Sequence, residues 1–131
     1  MGTELNRLER EVMEMLLAGD DPTLRTLAEQ FRSVVITGRD LSGAGFFTKF
    51  VISSGTPRLP GSRSFSFGDV HAQIAGLAHG AGFVLHVRNG AIDCLEGYSY
   101  DEPWPTNADV FQLKYGPGES RDWAALRRER E

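Results

Sequence analysis

A chain of 131 residues with 40% hydrophobic and 24% charged content has the size and balance of a single globular domain, large enough to bury a core without disulfide or metal staples. Its net charge of −4 argues against a nucleic-acid binder, which needs a basic face for phosphates, and no run approaches the roughly 20 apolar residues of a membrane helix. The one cysteine, Cys94, has no second cysteine to pair with, so a reducing, cytoplasmic setting is expected. The charged, amphipathic start also lacks the basic and apolar blocks of a secretory signal.

The chain opens with two expected helices, about 3–18 and 22–32. In the first, Leu5, Leu8, Val12, Met15 and Leu16 recur at helical spacing, with Glu4, Arg7, Arg10, Glu11 and Glu14 on the opposite face. Gly19 stands where a C-terminal cap belongs. Asp21-Pro22 restarts the chain, aspartate as N-cap and proline at the first helical position. The second helix directs Leu24, Leu27, Ala28 and Phe31 inward. So short a link makes the pair a helical hairpin.

From Ser33 onward the pattern turns to strands, filling about 33–115. Residues 34–37 are β-branched and bounded by Gly38. Residues 41–45 form a loop. Residues 46–52 alternate, with Phe46, Thr48, Phe50 and Ile52 on one face and Phe47, Lys49 and Val51 on the other. Proline and glycine signals mark 53–63 as a loop. Residues 64–75 read as one long strand, kinked at Gly68-Asp69, with a helix at 69–75 as the alternative. A glycine-rich turn at 76–82 precedes a hairpin centred on Asn89-Gly90, and 110–115 is a last strand. Ser120 is placed to cap a short final helix carrying Trp123 and Leu126, within an appendage at 116–131. The expected fold is α+β: an N-terminal helical hairpin, a mostly antiparallel sheet of about five to six strands, and a short C-terminal helix in a single domain, 1–131. The links are too short for parallel crossovers, and no phosphate-binding glycine motif is present.

Asn89-Gly90 is the preferred pair for a two-residue type I′ turn, and an unbroken ladder from that turn fixes a register. Arg88 faces Ala91, Val87 faces Ile92, His86 faces Asp93, Leu85 faces Cys94, Val84 faces Leu95 and Phe83 faces Glu96. This register makes His86 and Asp93 a cross-strand pair on the outer face. It also turns Cys94 and Glu96 onto the apolar face. Cys94 there is an inert core residue. Glu96 there is an anomaly, because a buried carboxylate needs partners or a raised pKa. Glu96 is therefore the leading catalytic candidate, with His86 and Asp93 as weaker ones.

His71, His79 and His86 lack the spacing of a metal motif, so no metal and no cofactor is expected. The two Gly-Ala-Gly runs at 43–45 and 80–82 read as steric necessities. There is no GxSxG elbow of a serine hydrolase. The least ordinary composition is at 96–105, where Glu96, Tyr98, Tyr100, Asp101, Glu102 and Trp104 lie close together, interspersed with Gly97, Pro103 and Pro105. Aromatic faces with a few carboxylates suit a sugar, a cationic ligand or a basic protein patch. The competing reading makes Tyr98 and Trp104 anchors for a return loop.

The run 80–85, the run 95–98 and residues 100–105, together GAGFVL…LEGYxYDEPWP, resemble a family of small uncharacterised bacterial proteins. The resemblance extends over roughly 8–115 and includes 41–48 and 58–61. It implies bacterial origin, a cytoplasmic location and a single domain, and it carries no activity, ligand or site residue. The leading expectation is a non-enzymatic binding or interaction module, immunity-like in one concrete version, that uses the 96–105 segment on a protein partner or a small polar ligand. The alternative is a small hydrolase or lyase with Glu96 as general acid/base at the floor of a pocket. A third reading makes the exposed aromatics a homodimer seam. Neither nucleic acid nor membrane is an expected partner.

Overall fold

The computed structural model describes residues 4–116; the expected C-terminal helix lies outside them. Helix α1 spans Arg7–Leu16 and α2 spans Pro22–Arg32. Asn6 caps α1 in a reciprocal box: its side chain accepts from the Glu9 N–H at 2.8 Å, and Glu9 accepts from the Asn6 N–H at 2.9 Å. Asp21 caps α2 by accepting from the Leu24 N–H at 3.1 Å, with Pro22 at the first helical position. Among the described residues no helix is long and apolar enough to cross a membrane.

Seven strands follow: β1 Val35–Leu41, β2 Gly45–Val51, β3 Phe65–Phe67, β4 Val70–Ile74, β5 Ala81–Arg88, β6 Ala91–Ser99 and β7 Phe111–Tyr115. They form one sheet in the order β1-β2-β6-β5-β4-β7, with β3 also paired to β5, and every pairing is antiparallel. The seventh strand arises because the expected continuous strand over 64–75 breaks at Gly68-Asp69 into β3 and β4. Both pieces pair with β5. The helical alternative for 69–75 is not the one adopted. Strand β1 also runs through Gly38 to Leu41, with a register shift between Ile36 and Gly38.

Both helices pack on one face of the sheet. Leu8, Val12, Met13, Leu16, Leu24 and Leu27 meet Phe46, Phe50, Phe67, Phe83, Leu85 and Leu95 in a single core. Burying such side chains contributes about 1.5–3 kcal/mol each before chain entropy is set against it. Two polar side chains, both fully buried, tie the helices to the sheet. Glu9 of α1 receives the Arg39 guanidinium of β1 in a two-pronged contact at 2.6 and 2.7 Å, and Thr48 of β2 donates its hydroxyl to the same carboxylate. Gln30 of α2 donates to the carbonyls of Pro57 and Gly90 at 3.0 and 2.9 Å and accepts from the Ile92 N–H at 2.9 Å. It thereby clamps the β5–β6 turn, whose Asn89 and Gly90 have φ of 52° and 77°, as a type I′ turn requires.

The hairpin register departs from the expected one three residues after the turn. Arg88 pairs with Ala91 and Val87 with Ile92, but His86 then pairs with Cys94, Leu85 with Leu95, Val84 with Glu96 and Phe83 with Gly97. Asp93 is the extra residue of a β-bulge. The bulge exchanges the faces of everything after it. Leu95 and Gly97 turn to the helices, and Cys94, Glu96 and Tyr98 turn away. Two physical reasons favour this register. It buries Leu95 fully in place of a carboxylate, avoiding the desolvation of an unpaired charge. It also sets Gly97 under the Phe46 ring, where a Cβ would lie 2.3 Å from a ring carbon. No residue but glycine leaves room for that ring.

Candidate functional site

The face of the sheet opposite the helices carries the chemistry. Cross-strand register lines up Lys49, Cys94, His86 and Ser66 in one row, from β2 through β6 and β5 to β3. The next row holds Asp40, Phe47, Glu96 and Val84. A third holds Gly45, Tyr98, Gly82, His71 and Lys114.

His86 is the hub of the first two rows. Its Nδ1 lies 2.7 Å from Ser66 Oγ, and its Nε2 lies 3.0 Å from Glu96 Oε1. The His86 and Glu96 side chains are 35% and 30% exposed, so the contact is open to solvent on one side. The expected His86–Asp93 pair does not form, because the bulge carries Asp93 out of the ladder. Glu96 is likewise not on the apolar face; it is a half-exposed partner of His86.

Cys94 also changes sides. It faces the helix-free surface between Lys49 and His86, yet it is 9% exposed. Burial pushes its thiol up to about 11, and the Asp93 and Glu96 carboxylates push in the same direction. Such a thiol is protonated and unreactive at neutral pH. Inertness thus follows from its surroundings, although the core position expected for it does not. Lys49 pairs with Asp40 at 3.0 Å on the exposed surface.

The 96–105 segment divides into two parts. Tyr98 and Tyr100 belong to the open face: their rings meet edge-to-face with centroids 5.5 Å apart, and the Tyr98 ring lies over Gly82. Burial raises the Tyr98 phenol to about 12, helped by its hydrogen bond with Tyr100. Glu102 and Trp104 serve the loops. The Glu102 carboxylate accepts the N–H groups of Ala78 and His79 at 2.8 and 3.0 Å, and those two bonds lower its pKa. The Trp104 backbone N–H donates to the Gly43 carbonyl at 2.7 Å, and the Trp104 ring meets Phe46 edge-on at 5.3 Å. Asp101 is exposed in a turn with φ of 58°.

His71 and His79 stand away from His86, beside a depression that Tyr100 and Lys114 also line. Among the described residues no group of three histidine, cysteine or carboxylate side chains converges to hold a metal ion. The Ser66 partnership had one faint signal in sequence, since period-2 alternation between Phe65 and Phe67 turns Ser66 outward. Nothing local states that β3 pairs with β5. No protein-family model, curated protein or solved structure matches this chain.

Proposed function

We propose that the protein is a cytoplasmic interaction module that presents the helix-free face of its sheet to a protein partner. The observation that carries this reading is a strip of part-exposed Phe47, Val84, Tyr98 and Tyr100 around the Glu96 carboxylate. Aromatic side chains with polar ends are the usual anchors of such contacts. A carboxylate set among them favours a lysine or arginine from the partner through both charge and the ring faces. The net charge of −4 steers a basic partner toward the chain. Neutralising a basic toxin, as an immunity-type protein does, is one concrete form of this role. Within the 96–105 segment the contact falls to Glu96, Tyr98, Tyr100 and the exposed Asp101, while Glu102 and Trp104 hold the loops that flank them.

The test is capture at endogenous expression, with Phe47→Asp plus Tyr100→Ala as the face variant and Glu14→Ala on α1 as the control. The expected result is one basic protein retained by wild type and by the control and lost from the face variant. Capture indifferent to the face substitutions refutes the reading. So does a wild-type dimer in sedimentation that the face variant dissociates, which assigns the strip to a second copy.

A further inference from the structure

We propose that Ser66 is a nucleophile activated by His86, with Glu96 as the positioning residue, and that it acts on acyl esters. This rests on Ser66 and His86 of the first row and Glu96 of the second, and it requires no protein partner. The three groups form one unbroken chain: Ser66 Oγ to His86 Nδ1 at 2.7 Å, then His86 Nε2 to Glu96 Oε1 at 3.0 Å. A carboxylate only accepts, so in the neutral imidazole Nε2 carries the proton toward Glu96 and Nδ1 keeps its lone pair. That lone pair is the acceptor for the Ser66 hydroxyl proton. This is the ground-state protonation pattern of a serine hydrolase, with the roles of the two ring nitrogens exchanged.

The strands hold the chain in place. Ser66 and His86 are register partners across β3 and β5, and Phe67, buried on the other face of β3, fixes the alternation that turns Ser66 outward. Glu96 lies diagonally across from His86 because of the Asp93 bulge, so the feature that removes the expected His86–Asp93 pair creates this one. A depression of about 520 Å³ opens beside Ser66 and His86, lined also by Ser64, Arg88, Asp93 and Cys94. It has room for a small acyl group, and the Arg88 guanidinium is the cation available to a developing oxyanion. The buried thiol of Cys94 does not compete as nucleophile.

The reaction balances without a cofactor. Ser66 Oγ bonds to the ester carbonyl carbon as its proton passes to Nδ1 of His86. The tetrahedral adduct collapses, the carbon–oxygen bond to the alcohol breaks, and His86 returns the proton to that alcohol. Water then repeats the sequence, releasing the acid and restoring Ser66. A fluorophosphonate probe reports the first half: the oxygen–phosphorus bond forms, fluoride leaves, and His86 takes the proton.

The experiment is fluorophosphonate labelling of the full chain, read by intact mass and peptide mapping, with hydrolysis of p-nitrophenyl acetate in parallel. The expected result is a single adduct on Ser66 that Ser66→Ala abolishes. His86→Ala slows labelling at least tenfold. Glu96→Gln slows it less and displaces its pH profile, an effect that a merely structural carboxylate does not have. Circular dichroism and thermal melts confirm that each variant is folded. Absence of an adduct on the folded wild type overturns the proposal. So does an adduct that survives Ser66→Ala, or labelling of Ser66 at the same rate in a folded His86→Ala. Because labelling of Ser66 is read without a partner and with Phe47 and Tyr100 unchanged, failure here is distinguishable from failure of the partner reading.

Discussion

Glu9 is the only carboxylate among the described residues that is fully buried, and its partner decides how stable the fold is. Arg39→Met removes the guanidinium and keeps much of its stem. Glu9 then retains the Asn6 N–H and the Thr48 hydroxyl but no cation. Breaking a buried pair from one side costs about 3–5 kcal/mol, and two charges about 4 Å apart at an effective dielectric near 20 give about 4 kcal/mol. Glu9→Leu is milder, about 1–3 kcal/mol, because Arg39 is 27% exposed and turns to water. Since the two side chains touch, the double variant is expected to be more stable than the summed single costs imply, by about 1–3 kcal/mol. Urea titration checks this through the midpoint at unchanged slope. In thermal melts Arg39→Met lowers Tm by roughly 10–20 °C for a domain of this size. A loss below about 1 kcal/mol for Arg39→Met, or additive single variants, refutes the view that Glu9 is held as a paired buried charge.

Gln30→Leu strands the Ile92 N–H beside the hairpin turn and removes one donor from each of two carbonyls; a loss of about 2–4 kcal/mol is expected, with faster amide exchange at Ile92 as the local readout. Gly97→Ala forces the Phe46 ring to move and costs about 1–3 kcal/mol; Phe46→Leu in the same chain is expected to relieve part of that loss in denaturant titration. A thiol at about 11, against 9.0 for the ordinary group, leaves about a hundredfold less thiolate near pH 8, so iodoacetamide alkylates Cys94 about a hundredfold more slowly than it does a free cysteine. The Glu102 carboxyl has a lowered pKa in the folded chain; its hold on the 78–79 loop is therefore full above the unfolded value and lost as pH falls through the folded one. The protection of the Ala78 and His79 amides, taken relative to their intrinsic exchange rates, is expected to fall as the pH drops below the ordinary carboxyl value of 4.5 and through the folded one, and Glu102→Gln to remove that acid-dependent change in protection.

Local chemistry made much of this fold legible. Asp21-Pro22 starts α2, Asn89-Gly90 turns the hairpin, and the alternation of 46–52 assigns both faces of β2. The break at Gly68-Asp69 was visible as a kink, though not as two strands, because separate pairing with β5 is a long-range fact. Glu9 and Gln30 escaped detection for a related reason. Each lies on a helix surface among other polar residues, and only the arrival of Arg39 or the Gly90 turn makes its burial tolerable. In the candidate site, Tyr98 and Tyr100 were found by composition. Trp104 holds its loop, as the return-loop reading has it, while the loop contacts of Glu102 were not legible, since a carboxylate that binds loop amides looks the same in sequence as one that awaits a ligand.

The hairpin shows how a single residue governs what a sequence pattern can say. Strict alternation from Asn89-Gly90 implies a buried Glu96 and a His86–Asp93 pair. The apolar positions Ile92 and Leu95 are three apart, an odd spacing that no unbroken strand buries on one face. A bulge resolves that conflict, because burying Leu95 is favourable by about 1.5–3 kcal/mol while burying an unpaired carboxylate is strongly unfavourable. Core packing therefore sets the register, and the polar face inherits it. Deleting Asp93 removes the extra residue and leaves His86, Leu85 and Val84 paired with Cys94, Leu95 and Glu96 in an unbroken ladder, so Leu95 should stay inward and the His86–Glu96 contact should survive, with the fold retained. If the deletion variant unfolds, or exposes Leu95 and loses the His86–Glu96 contact, the competition between Leu95 and Glu96 for the core is not what places the bulge.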